Sequence, residues 1–269
     1  MKNEHKEDLG LGADLQTWMR QLNRRRALKL LAGATLMPLV AWGEEGVDLS
    51  GDGETTDSNT TGGCAKIPEE TAGPYPGDGS NGANALELSG IVRSDIRSSI
   101  AGAMGVAQGV LLTVNLTVVN VNNGCSPLAG HAVYLWQCDR SGLYSMYNVA
   151  QENYLRGVQE TDSNGRVAFT SIFPGCYSGR WPHIHFEVYP SLAVATSSTE
   201  KIATSQLAFP KGICDEVYAT SGYSGSVSNL AQTSLSSDMV FRGNTQQLAT
   251  VTGDAQNGLV ANLTVGITG

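Results

Sequence analysis

Leu111-Leu112-Thr113-Val114-Asn115-Leu116-Thr117-Val118-Val119-Asn120-Val121 decides the fold class, because Leu112, Val114, Leu116 and Val118 alternate with Thr113, Asn115 and Thr117. Side chains of an extended chain point to opposite faces in turn, so a period of two marks a strand with one buried face. The signature recurs downstream. A second strand is predicted over 132–137 after the turn at 122–130, and a third begins at 157–160. A fourth is predicted over 167–173, between the turn at 161–165 and the breakers Pro174 and Gly175, and a fifth over 183–189. The runs 246–251 and 258–267 read as a hairpin around 252–257. The fold class is therefore all-β, and so many one-sided strands are most simply buried as a two-sheet β-sandwich with long connecting loops.

With antiparallel neighbours, the turns at 122–130 and 161–165 share one end of the sheet, and the loops after Gln137 and Phe173 share the other. That arrangement brings Tyr144, Tyr177 and His183 to a common end. It also sets Cys138 near Cys176, a pair the geometry allows, and leaves Cys125 at the far end.

The 269 residues, 41% of them hydrophobic and only 7% aromatic, suffice for one large β domain with appendages, and 32 glycines and 9 prolines favour turns and short strands. The N-terminal part differs. Arg24 and Arg25, with Lys29 and the apolar run 30–42, resemble a twin-arginine export signal over residues 1–43. That run is interrupted by Gly33 and Pro38 and falls short of the roughly 20 residues a spanning helix needs, so no stable membrane span is expected in the mature protein. Residues 44–65, rich in Gly, Ser, Thr, Asp and Glu, read as a flexible acidic linker, and 66–269 as the folded domain. Residues 1–43 carry seven Lys/Arg against four Asp/Glu, which leaves the remainder at a net charge of −11. Such an acidic domain is a poor partner for nucleic acid. Cys64, Cys125, Cys138, Cys176 and Cys214 contain no C-x-x-C pair, which argues against a zinc knuckle, and export permits disulfides among them.

The sharpest chemical feature is His183-Ile184-His185-Phe186 after Arg180-Trp181-Pro182. Residues two apart on a strand share a face, so both imidazoles point one way while Ile184 and Phe186 point into the opposite layer. An isolated His-x-His is often merely solvated. Histidine is scarce here, however: of four, His5 lies in the export segment and His131 beside the turn at the other end of the sheet. A pair on one strand face, next to a Gly/Pro turn and an arginine, points to metal ligation. No acidic residue flanks it in the manner of a zinc protease.

The ordered series Thr71-Ala72-Gly73-Pro74-Tyr75, Pro127-Leu128-Ala129-Gly130, Leu135-Trp136-Gln137, Gly142 and Tyr144, Arg156-Gly157, Thr161-Asp162, Gly165, Pro174-Gly175, Tyr177, Arg180 and His183-Ile184-His185-Phe186 resembles the intradiol ring-cleavage dioxygenases. It extends over about 71–209, roughly half the chain. The resemblance implies Tyr144, Tyr177, His183 and His185 as ligands of a non-haem Fe(III), a donor set hard and anionic enough for that ion. Tyr147 and Tyr154 are rivals to Tyr144 by spacing alone. By the same resemblance Tyr177 is the ligand a substrate displaces and a proton acceptor, Arg180 stabilises the activated ring, Gln206 positions Arg180, and Pro74 and Tyr75 line the pocket mouth. The implied reaction is cleavage of a catechol by O2 between its hydroxylated carbons, giving a muconate-type diacid. Only six positions separate Tyr177 from His183, shorter than in the well-known cytoplasmic enzymes, which predicts a more open pocket. An exported β-sandwich binding module without turnover is the alternative.

Overall fold

Alternation in Leu111–Asn120 (β1) buries Leu112, Val114, Leu116 and Val118 and leaves the intervening residues at least partly exposed. The structure, a computed structural model, describes residues 64–269. The expected export segment and nearly all of the expected linker lie outside the described residues. After β1 follow Ser126–Pro127 (β2), Ala132–Trp136 (β3), Arg156–Glu160 (β4), Arg166–Ile172 (β5), His183–Tyr189 (β6) and Ala203–Ala208 (β7). Two short helices, Lys211–Tyr218 (α1) and Ser224–Leu230 (α2), precede Thr250–Asp254 (β8) and Gly258–Ile267 (β9).

These strands form two sheets, as the alternation predicts. In the first, β1 lies between β9 on one side and β5 and β2 on the other, with β8 beyond β9. β1 and β9 run parallel, with Leu112 opposite Leu259 and Val118 opposite Val265. The second sheet is antiparallel in the order β4-β3-β6-β7. The main core lies between them, where Val114, Phe169 and Val265 belong to the same apolar cluster as Leu135, Ile184, Phe186 and Leu207. Each such side chain removed from water contributes roughly 1.5–3 kcal/mol.

The second sheet is covered on its outer face too. Ala85, Leu86 and Ile91 from the long segment before β1 pack on Tyr134, Trp136, Val158 and Tyr189 in a second apolar cluster. All seven residues of β6 are therefore buried, and the histidines on its outer face lie beneath a layer of protein rather than in water.

Strands predicted over the β1, β3, β4, β5 and β6 regions are present within one residue of their expected ends. The hairpin is shifted: its first strand was expected over 246–251, but β8 is Thr250–Asp254. The preceding residues pair elsewhere, Ala249 N donating to Ala208 O and buried Gln247 donating to Gln206 O, so one alternating run serves two partners. The Cys138–Cys176 pairing does not occur. Both are free, buried thiols, directed at the carbonyls of Gly175 and Arg180, and Cys214 is free as well. The disulfide instead joins Cys64 to Cys125 at the far end of the sandwich. Among the described residues no helix is long and apolar enough to cross a membrane.

Candidate active site

The site grows from the outer face of β6. His183 and His185 are 2% and 3% exposed, with their Nε2 atoms 3.1 Å apart. Two neighbours fix the rings. Trp136, opposite His185 in register, stacks on it with centroids 4.9 Å apart and planes 8° from parallel. His183 Nδ1 meets the carbonyl of Trp181, so its proton sits on that side and the Nε2 lone pair faces the site.

Tyr144 arrives on the loop after β3. Asp139 accepts from the backbone of Ser141 and Leu143, and Asn148 accepts from Tyr144 N at 3.0 Å, which ties the loop into a fixed turn. Tyr177 arrives on the loop after β5. Cys176 N donates to Ser226 Oγ at 2.9 Å, Asn229 donates to Cys176 O, and Tyr218 donates to Pro174 O, so α1 and α2 hold this loop from behind. The loops touch where side chains would not fit. Gly142 has φ +82°, and a Cβ there would lie 3.1 Å from Tyr177 Cβ, while one on Gly175 would stand 2.6 Å from Arg140 O.

Four donor atoms close a ring. Tyr177 Oη is 3.0 Å from His183 Nε2, His183 Nε2 is 3.1 Å from His185 Nε2, His185 Nε2 is 3.3 Å from Tyr144 Oη, and Tyr144 Oη is 3.4 Å from Tyr177 Oη. Atoms about 2.1 Å from a shared centre and roughly 90–110° apart are about 3.0–3.4 Å from each other, so this spacing suits one small cation. Among the described residues no group of three His, Cys, Asp or Glu side chains is placed to hold a metal, so a centre here has to draw on the tyrosines. The rivals stand apart: Tyr147 Oη donates to Asn81 and accepts from Gly77 N, and Tyr154 Oη donates to Asp139.

Burial sets the protonation. It pushes the Tyr144 phenol well above its ordinary 10, helped by Tyr177, and pushes Tyr177 up to about 12 against the pull of Arg180. Burial and neighbouring positive charge hold both imidazoles well below 6.5, with Arg180 acting on His183, and His183 and Arg180 acting on His185. Without a metal the four donors are thus two neutral phenols and two neutral imidazoles.

Arg180, 4% exposed, lies beside this ring with Nη1 3.4 Å from His183 Nε2. Gln206 accepts from its Nη2 at 2.6 Å and donates to Thr71 O at 2.9 Å. Sequence reasoning missed its second partner, Asp238, which accepts from Arg180 Nε at 2.9 Å and from Trp181 N at 2.7 Å. Asp238 lies in 231–245, a stretch with no strand periodicity, and the isolated Asp before Met239-Val240-Phe241 was its only signal. Tyr75 packs on Tyr144 with ring centroids 5.2 Å apart, and Pro74 accepts from Asn81 at 2.8 Å, so both stand in the segment over the site.

A dioxygenase family model matches residues 93–265, well over half of the chain. No curated protein matches it in sequence. Among solved structures, an intradiol ring-cleavage dioxygenase from Tetranychus urticae is 27% identical with a TM-score of 0.59, over 76% of this chain and 94% of that one. The crystal structure of dioxygenase Tetur07g02040 is likewise 27% identical, with a TM-score of 0.60 over the same shares. With the matched model spanning the sandwich strands and the two tyrosine loops, this chain belongs to the intradiol ring-cleavage dioxygenase family.

Proposed function

We propose that this protein is an exported, non-haem Fe(III)-dependent enzyme that cleaves catechol-type aromatics with O2 between the two hydroxylated carbons, to muconate-type diacids. The observation that carries this reading is the closed ring of two phenol oxygens and two imidazole nitrogens at 3.0–3.4 Å. Two phenolates and two neutral imidazoles form a hard, charge-neutralising set for a trivalent ion. When bound, the iron supplies Lewis acidity that draws electron density from a chelated catechol.

The chain's own groups do the rest. His183 and His185 are pre-set as neutral ligands, so no proton has to leave them. Tyr144 is almost wholly buried and stays in place, whereas Tyr177 lies on the exposed side of the ring next to exposed Ser178 and Gly179. Tyr177 is thus the phenolate able to swing away, its oxygen taking a proton from an incoming catechol hydroxyl. Arg180 faces the bound ring as a fixed cation held by Gln206 and Asp238, and stabilises negative charge that develops on ring carbon. Tyr75 and Pro74 supply an apolar wall that sheds water. The short Tyr177-to-His183 connection leaves this wall open on one side, which fits bulky plant- or lignin-derived catechols met outside the cell.

A disulfide between Cys64 and Cys125 supports an oxidising destination and so the twin-arginine export reading. The test of function is oxygen uptake by ferric-loaded protein with a panel of catechols. Uptake that depends on both iron and catechol is expected. A protein that binds iron in the site, shows the tyrosinate colour and consumes no oxygen with any catechol would refute turnover.

A further inference from the structure

Arg156 opens β4 on the covered face of the second sheet and is 0% exposed. A guanidinium carries five N–H donors, and here every one is taken. Nε donates to Ser145 Oγ at 3.1 Å, Nη1 to Pro76 O at 2.7 Å and Tyr134 Oη at 3.0 Å, and Nη2 to Tyr75 O at 3.0 Å and Ser145 O at 2.9 Å. None of these acceptors is a carboxylate. Buried Asp78 and Glu187 are tied instead to Lys201, at 3.4 and 2.6 Å. Sealing a cation among neutral acceptors is costly, and an apolar side chain would fill the space at less expense, so the arrangement calls for a role beyond packing.

We propose that Arg156 is a positioning residue for the substrate pocket, clamping the Tyr75–Pro76 wall to Ser145, the residue after Tyr144. Its fork fixes the two segments at one spacing and thereby holds the Tyr75 ring 5.2 Å from that of Tyr144. The wall passes so close that a Cβ on Gly77 would stand 2.8 Å from Arg156 Nη1. Lysine cannot replace it, because three donors on one nitrogen cannot span acceptors on three segments. The inference rests on the proposed function only in calling the enclosed space a substrate pocket.

The test uses the full chain with R156K, R156M and a remote core control, V265A, with hydrogen exchange read on the metal-free protein and kinetics on the iron-loaded one. Both Arg156 variants are expected to exchange about tenfold faster at Tyr75, Gly77 and 142–147 than V265A compared at equal distance below Tm. KM for a catechol is expected to rise about tenfold in R156K with a much smaller change in kcat. Exchange in those segments equal to that of V265A, or an unchanged KM, would overturn the clamp. If both Arg156 variants fail to fold, S145A decides: faster exchange at 142–147 supports the clamp, and wild-type exchange there overturns it. Altered exchange in a protein whose iron-loaded wild type is inactive would leave the clamp standing and remove the proposed activity.

Discussion

Arg180 and Asp238 form an ion pair shut off from water, Nε to Oδ2 at 2.9 Å, with side chains 5% and 0% exposed. The same Asp238 oxygen accepts from Trp181 N, and its other oxygen accepts from Val240 N and Phe241 N. A residue far along the chain thus fixes both the direction of the arginine and the backbone just before His183. Removing one member of a buried pair strands the other charge, at a cost of about 3–5 kcal/mol. Urea unfolding should therefore show D238A losing that much stability, with Q206A, which removes a neutral acceptor, losing about 1–3 kcal/mol.

Metal affinity should rise with pH. Both phenols are neutral in the metal-free protein, Tyr177 pushed up to about 12 and Tyr144 raised well above 10, whereas the imidazoles lie well below 6.5 and are already neutral. Binding as two phenolates releases two protons, so the affinity at fixed free metal should climb about 100-fold per pH unit between pH 6.5 and 8. A chelator-competition titration at several pH values measures the slope. A slope of zero would mean that the tyrosines do not bind as phenolates.

If Tyr144 and Tyr177 bind ferric iron as tyrosinates, the iron-loaded protein should show a reddish visible band. Y144F and Y177F should each weaken that band, and Y147F should leave it in place, because Tyr147 is occupied by Asn81 and Gly77 outside the ring. Visible spectra of the three variants at matched iron content check this. Each Phe variant removes one of the proposed ligands, so iron retention against a chelator should fall in each.

The cysteines make a separate prediction. Cys64 and Cys125 close a loop with a sequence separation of 61 at the end opposite the site, while Cys138, Cys176 and Cys214 are buried thiols whose pKa values burial raises. A thiol reagent should find no reactive cysteine in the native, unreduced protein and three after denaturation. Loop closure of this length is worth about 4 kcal/mol, so C125S should lower Tm while iron stoichiometry holds.

Much of the sandwich was legible because its strands obey a local rule. Leu112 to Val118 alternate, and His183 and His185 share a face because they are two apart. The loops after β3 and β5 do meet, but across the sandwich rather than at the end of one sheet, because β5 crosses over to pair with β1. What escaped depends on long-range packing. β7 carries Thr204, Ser205 and Gln206 in a row yet is fully buried, because Ser205 and Gln206 donate to Pro68 O and Thr71 O. Helices α1 and α2 are too short for a periodic signal, and Asp238 gains its meaning only when the chain returns to Arg180. The Cys138–Cys176 expectation failed because proximity of two loops does not fix where the sulfurs point. Tyr144 could be told from Tyr147 and Tyr154 by resemblance, not by spacing, and the structure sets its oxygen, not theirs, beside Tyr177 and His185.

The most direct test of the central claim is turnover of a catechol under 18O2 by the ferric-loaded protein, with the product analysed by mass spectrometry. A ring-opened diacid carrying label from O2 in both new carboxyl groups, reduced only by exchange with water, is expected. An intact ring, or a ring-opened product with no oxygen derived from O2, would contradict that claim.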